Sequence, residues 1–383
     1  GVADGDASSG AATVSRAVSI GIDSGAGSDE ISASGVMAAK AFSQGIAAAK
    51  TNTLNFLSVG ANLQSAQANS SAVADATAFG IGGGAGNDTI LAAGLLEITA
   101  AADISGTARS SVIQGLGLGV SVLESQSAAA TKANSMAVGI DGGAGNDTIT
   151  NDAEISLISS SNAFTSAVSS SNSGFTLAGA SFGEAAANAS TSVTADGAGI
   201  AGGAGFDEIT SNEEISVDAI STGNVSATSS VGAVTFAGSA GGKALSDSSA
   251  LIKASATGID GGGADDTITS NDTVTATAIS TGTVSSSANA NAAVVFGSAS
   301  TKTVSDSAAV GAAQAAGISG GEGNDTILSV GGVTSTAEAN LLVTASSVSV
   351  SNATFGSAYA SAASRASSDA NTEAMGILGG AGN

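Results

Sequence analysis

Small and larger side chains alternate along much of this chain with a period of two. Within residues 66–78 every second position is Ala or Ser, whereas the positions between them hold longer or charged groups such as Gln67 and Asp75. The same alternation recurs at 185–195 and 364–374. Successive side chains of a β-strand point to opposite faces, so this period predicts long strands with one face of small residues. A helix would scatter the charged groups around its circumference.

The alternating tracts belong to a regular repeat. A Gly-Ile pair opens a glycine-rich cluster seven times, and the spacings are 59, 59, 60, 59, 59 and 59 residues. Such constancy indicates that each repeat is one structural unit. We expect a single repeat array over 1–383. It divides into the end of a preceding repeat (1–20), the repeats 21–79, 80–138, 139–198, 199–257, 258–316 and 317–375, and the start of another repeat (376–383).

Composition indicates how such an array is stabilised. The sequence has no Pro, Cys, His or Trp, only 3% aromatic residues, and 54 Gly. Much of its apolar content is alanine, which buries little area per residue. Regular backbone pairing must therefore provide most of the stability, which favours an all-β parallel β-solenoid.

The spacing of the glycine clusters favours one wide coil per repeat. Neighbouring coils of a parallel solenoid lie about 4.8 Å apart, so one coil per repeat would stack the clusters into a continuous ladder. Three coils of about 20 residues would separate successive clusters by roughly 14 Å. No internal period near 20 residues is present, and we therefore predict one coil for each 59-residue repeat.

Large side chains are concentrated in the middle of the repeats and at fixed points after each cluster. An apolar residue follows the last cluster isoleucine by six positions, as in Ile149 with Ile155. We expect the mid-repeat phenylalanines to fill a wider part of the core, with an exposed sugar-binding ladder as the alternative. These residues are Phe56, Phe175, Phe182, Phe236, Phe296 and Phe355.

The charge balance limits the partners. Lys plus Arg is 9 and Asp plus Glu is 32, which gives a net charge of −23. A chain this acidic is not expected to bind nucleic acid or an anionic membrane surface, and it tends to gather cations. The sequence lacks a long uninterrupted run of large apolar residues, so we expect no membrane insertion.

The glycine cluster combines flexible backbone with a carboxylate in the order Gly-Gly-x-Gly-x-Asp-x-Ile, as at 142–149. Glycine reaches positive φ and permits close backbone approach, so its carbonyls can converge on a point where the aspartate completes an oxygen cage. Oxygen ligands suit Ca²⁺, and without His or Cys we expect no zinc or copper site. The alternative is that these glycines only form tight corners, although a corner has no need of a recurring aspartate.

This motif resembles the haemolysin-type calcium-binding repeats of the RTX proteins, whose nonapeptide is Gly-Gly-x-Gly-x-Asp-x-(large apolar)-x. The segment 140–149, Ile-Asp-Gly-Gly-Ala-Gly-Asn-Asp-Thr-Ile, matches it almost residue for residue. The resemblance implies a parallel β-roll with Ca²⁺ bound between stacked turns. The implied side-chain ligands are Asp88, Asp147, Asp207 and Asp325, with Asp29 and Asp266 in degenerate copies. The implied carbonyl ligands are Gly84, Gly86, Gly143, Gly145, Gly203, Gly205, Gly321 and Gly323.

Some copies depart from the family pattern. The first has Ser24 and Ser28, the fourth has Phe206 before its aspartate, and the fifth has Ala264 in place of the last glycine. Arrays of the family repeat every nine residues, whereas here one motif occurs in each 59-residue unit.

Together these features predict a structural protein and not an enzyme. Neither His nor Cys is present, and no carboxylate pair stands outside the repeated column. We expect an extracellular or cell-surface bacterial protein that forms a calcium-stabilised filament, matrix or surface layer from copies of itself. The alternative is the stalk of a large calcium-dependent adhesin. An ice-binding face is disfavoured because the threonine run at 273–277 occurs in one unit only.

Overall fold

The computed structural model describes residues 2–380, and its regular secondary structure is entirely β-strand. Residues 1 and 381–383 lie outside the described residues. Residues 381–383 are the last three of the predicted repeat start at 376–383. The strands are β1 (Val2–Asp23), β2 (Glu30–Gly82), β3 (Thr89–Ala144), β4 (Thr148–Ala204), β5 (Glu208–Ser211), β6 (Ile215–Gly263), β7 (Thr267–Ser270), β8 (Val274–Ser319), β9 (Thr326–Ser329) and β10 (Val333–Leu378). Over this span no helix has the length and apolarity needed to cross a membrane.

The strands pair in parallel, each with the same part of the next repeat. Ala7 pairs with Ala66, and Ala66 pairs with Ser125, an offset of 59 residues. The offset becomes 60 along the β4–β5 pairing and along parts of the β3–β4 and β4–β6 pairings, because β4 holds most of the longer repeat. Each repeat therefore forms one coil, which we count from one Gly-Ile pair to the next. The predicted all-β parallel β-solenoid with one wide coil per repeat is confirmed.

Each coil is folded into two limbs that face each other. The outgoing limb leaves the glycine cluster, and the return limb leads back to the next one. The two limbs are joined by a second turn, the distal turn, which contains one positive-φ glycine per coil. These glycines are Gly60, Gly119, Gly179, Gly238, Gly297 and Gly356. Hydroxyl groups meet across the coil, as between Ser110 Oγ and Ser125 Oγ at 2.8 Å.

Small residues fill the space between the limbs, as the alternation predicted. The rows at 66–78 and 185–195 are buried. A return limb also packs against the outgoing limb of the following coil, since Thr131 Oγ1 lies 2.5 Å from Thr165 Oγ1. The row at 364–374 is exposed, because it lies on the last described return limb and no further limb covers it.

Larger aliphatic side chains form a thicker core beside the glycine clusters. Ile149 and Ile155 are fully buried. β-Pairing places Ile149 in a column with Ile90 and Ile209, and Ile155 in a column with Leu96 and Ile215. Burying one such side chain contributes on the order of 1.5–3 kcal/mol. The aliphatic columns therefore stabilise the end of each coil that carries the glycine clusters.

The prediction that the phenylalanines fill the core is wrong. All six named phenylalanines are between 40% and 81% exposed. Five of them lie in the distal turns, and Phe182 follows directly after one. The limbs approach each other through Ala, Ser and Thr, so no aromatic ring fits between them. The rings therefore occupy the outward positions of the alternation.

Candidate metal centre

The glycine clusters stack directly on one another at one end of the coils. Two of their glycine columns have positive φ, as in Gly143 (100°) and Gly145 (134°). A Cβ on Gly143 would collide with the carbonyl oxygen of Gly84, and one on Gly145 with that of Gly86. These two columns therefore require glycine for both backbone conformation and space. Ala264 is the exception, a non-glycine residue with a φ of 86°.

The six predicted aspartates form a single column, the aspartate ladder. The backbone N–H of Asp88 donates to Asp147 Oδ1 (2.7 Å), and that of Asp147 donates to Asp207 Oδ1 (2.8 Å). The same bond joins the remaining neighbours, Asp29 to Asp88, Asp207 to Asp266, and Asp266 to Asp325. Stacking thus brings together all the aspartates that the motif singled out.

The second carboxylate oxygen of each ladder residue is buried and has no protein hydrogen-bond partner. This holds for Oδ2 of Asp29, Asp88, Asp147, Asp207, Asp266 and Asp325. The side chain of Asp147 lies over a glycine: a Cβ on Gly142 would come within 2.8 Å of Asp147 Oδ2 and would collide with the Gly202 carbonyl oxygen. A buried carboxylate oxygen without a partner is costly, so the ladder needs protons or cations.

The electrostatics of the ladder reflect this cost. Burial raises the pKa of Asp147 to about 6. The N–H of Asp88 opposes this rise, and the neighbouring carboxylates Asp207, Asp88 and Asp141 add to it. Burial likewise raises the pKa of Asp266 to about 6, against the N–H of Asp207. Without a counter-ion, Asp147 and Asp266 therefore keep their protons to a higher pH than an exposed aspartate does.

Two further sets of residues belong to this site and were given no role from the sequence. Asp141 and Asp260 follow the Gly-Ile pair in alternate copies, and burial raises the pKa of both. The position before the ladder aspartate forms a second column, in which Asn87 Oδ1 accepts from the N–H of Asn146 (2.9 Å). Asn146 Oδ1 in turn accepts from the N–H of Phe206 (3.0 Å). The recurring Asn-Asp pair in the motif was the available signal.

The donor set fits a hard cation. Within the described part of the chain no three Asp, Glu, His or Cys side chains converge on one point. A cation at the ladder would therefore be held by one or two carboxylates together with main-chain carbonyls of the clusters. Unpartnered Oδ2 atoms, adjacent glycine carbonyls and the absence of soft ligands suit Ca²⁺.

No protein-family model matches the chain, and neither a curated protein nor a solved structure matches it. The likeness to RTX repeats therefore rests on the motif residues alone.

Proposed function

We propose that the chain is an extracellular structural solenoid whose stacked coils are locked by calcium along the aspartate ladder. The observation that carries this proposal is the column of six carboxylates, each with a buried and unpartnered Oδ2. In a chain with a net charge of −23, a row of divalent cations would supply the charge that this column lacks.

The proposed ligands come from two adjacent coils at each step of the ladder. Asp88, Asp147, Asp207 and Asp325 supply Oδ2, and Asp29 and Asp266 do so in the degenerate copies. The cluster glycines supply carbonyl oxygens. Bound calcium would bridge one coil to the next and neutralise the buried charge, so binding would be coupled to folding. Such a chain would remain loose at low intracellular calcium and fold in the calcium-rich surroundings outside a bacterial cell.

Stacking by a constant register supports assembly from copies of the chain. Each coil presents its backbone N–H and C=O groups along the stacking axis, and the next coil pairs with them in the same register. An uncovered coil edge is a template for another strand, so coils of a second copy can continue the stack. The resulting filament, matrix or surface layer is the function that we favour.

A second candidate function is the stalk of a calcium-dependent bacterial adhesin. The observation that favours it is the continuous hydrophobic core, which runs through successive coils and would make a stiff spacer. Stalk and filament differ in whether purified chains self-assemble. Neither function involves catalysis.

The test is a calcium titration of the purified chain, followed by circular dichroism and negative-stain electron microscopy, with magnesium at equal concentration as the control. We expect strand signal and filaments to appear together with calcium and not with magnesium. Calcium-dependent folding without filaments would favour the stalk. If full strand signal and filaments were present in excess chelator, the glycine clusters would only form tight corners, and calcium would have no role in folding or assembly.

A further inference from the structure

The distal turns carry an apolar strip on the outside of the solenoid, which we call the distal edge. It contains one or more large apolar side chains per coil, each between 39% and 81% exposed: Phe56, Leu57, Val59, Leu116, Leu118, Phe175, Leu177, Val234, Phe236, Phe296 and Phe355. Such a continuous strip is unusual on a soluble surface and indicates an interaction site.

Three rings of the distal edge, those of Phe236, Phe296 and Phe355, are in contact with one another. The ring centroids of Phe296 and Phe355 lie 5.1 Å apart with planes at 10°, and those of Phe236 and Phe296 lie 5.6 Å apart at 76°. These three rings therefore form a ridge along the stacking axis over three successive coils.

The distal edge is free of charge in a strongly charged molecule. No Asp, Glu, Lys or Arg occurs in any of the six segments that form it, 54–63, 113–123, 172–183, 231–242, 290–301 and 349–360. The whole net charge of −23 therefore lies elsewhere. Two copies of this chain repel each other least when they approach through their distal edges.

We infer that the distal edge binds the distal edge of a second copy of this chain, so that two solenoids lie side by side. The two strips share one repeat distance, so a ridge of one copy can follow the ridge of the other along its whole length. The contact is self-complementary and closes as a pair. This pairing is perpendicular to the stacking of coils and uses none of the proposed calcium ligands, because the aspartate ladder lies at the opposite end of each coil.

The available area is sufficient for a stable contact. A phenylalanine has about 200 Å² to bury, so the eleven apolar side chains named above, which are on average about half exposed, offer on the order of 150 Å² per coil as a mean. Six coils then give roughly 900 Å² per copy, compared with about 800 Å² per partner in a typical stable interface. Because the area grows with each coil, longer arrays would pair more tightly.

A sugar fits this edge less well than a second copy. Carbohydrate binding uses open ring faces together with hydrogen-bonding groups. Here the faces of Phe296 and Phe355 cover each other, and phenylalanine has no polar atom. Soluble oligosaccharide is nevertheless the competing occupant that the experiment must include.

The experiment compares the variant Phe236→Ser/Phe296→Ser/Phe355→Ser with the control Ile158→Ser/Leu251→Ser/Val310→Ser. The control residues lie on the limbs and are 39–44% exposed, so they remove apolar surface away from the edge. Sedimentation velocity in calcium should show a concentration-dependent pair for the original chain and the control, and at least tenfold weaker pairing for the edge variant. Circular dichroism checks that all three chains fold.

A second pair of variants leaves the rings in place. Ser298 is exposed in the distal edge and Ser190 is exposed on a limb. Ser298→Asp adds like charges at the contact and should weaken pairing, whereas Ser190→Asp should not.

In electron micrographs, the width of the particles shows whether solenoids pair through the distal edge, and their length shows whether coils of different copies stack. The failure of one proposal is therefore distinguishable from the failure of the other. Unchanged pairing of the edge variant, or an original chain that stays single at all concentrations, would overturn the inference. A third outcome is that the original chain binds a soluble glucan oligosaccharide, loses this binding in the edge variant and shows no pairing. The occupant of the distal edge would then be a sugar and not a second copy.

Discussion

Asp147 and Asp266 combine deep burial with pKa values raised to about 6, well above the ordinary value of 3.8. Without calcium, the folded chain therefore holds protons more tightly than the unfolded chain between about pH 4 and pH 6. The stability that the protonated carboxyl groups of Asp147 and Asp266 contribute is complete below about pH 4 and is lost as the pH rises through about 6. Calcium requires the ionised carboxylates, so calcium-dependent stability should instead be lost as the pH falls below 6.

We therefore expect opposite pH profiles in thermal melts from pH 4 to 8. In chelator the melting temperature should fall as the pH rises, until the fold is lost near neutral pH, and in calcium it should rise. Asp147→Asn/Asp266→Asn should raise stability in chelator at pH 7 and lower it in calcium, because the amide keeps the Oδ1 acceptor and loses the charge. Asp103→Asn, which removes a charge from the exposed limb surface, is the control. Parallel profiles in the two media would contradict a cation role for the ladder.

Ala264 occupies a column that is otherwise glycine, and its φ of 86° is strained for a residue with a Cβ. Ala264→Gly should stabilise the chain by about 1 kcal/mol, because left-handed backbone costs a non-glycine residue at least that much. The matched control is Ala204→Gly in the glycine cluster of the neighbouring coil, one position before the column of Ala264 and without positive φ, where glycine should cost about 0.5–1 kcal/mol. Denaturant unfolding measures both. Destabilisation by Ala264→Gly would show that the methyl group contributes packing that outweighs the strain.

At the scale of strands and turns, the limbs were predictable because their alternation is strict. The row at 66–78 gives the inward face directly, since only small residues allow two limbs to approach. The constant cluster spacing likewise gave the register of one coil per repeat. The distal turn was not predictable, because the glycine at its centre, such as Gly297, has no distinctive motif around it. Without the position of that turn, the inward or outward orientation of Phe296 could not be read from its residue type.

Neighbouring alanines on opposite faces of one limb offer a direct test of this packing. Ala129 is buried between the limbs, and Ala130 is exposed. Ala129→Leu should destabilise the chain by about 1–3 kcal/mol, because an added side chain forces closely packed limbs apart. Ala130→Leu adds the same group to the surface and should change the unfolding free energy by less than about 0.5 kcal/mol. Equal effects of the two substitutions would mean that the limbs are not in close contact.

At the scale of the whole molecule, the two ends of each coil are specialised differently. The glycine-cluster end is constant in length and holds the buried carboxylates and aliphatic columns. The distal end tolerates variation, because the extra residue of repeat 139–198 is accommodated where the register shifts, between 173 and 179. A slip of one residue within a limb would exchange its inward and outward faces, whereas a turn absorbs it without that cost. Length variation is thus confined to the end that is not locked by the ladder.

This architecture predicts the mass per unit length of any filament built by coil stacking. The chain has a mass of 35.5 kDa for 383 residues, and each coil uses 59 of them. One coil of about 5.5 kDa per rise of about 4.8 Å gives roughly 1.1 kDa per Å, with a fibre-diffraction reflection near 4.8 Å along the filament axis. Scanning transmission electron microscopy of unstained filaments measures this mass. Side-by-side pairing through the distal edge would double it, whereas a value near one third would require three short coils per repeat and would contradict the one-coil register.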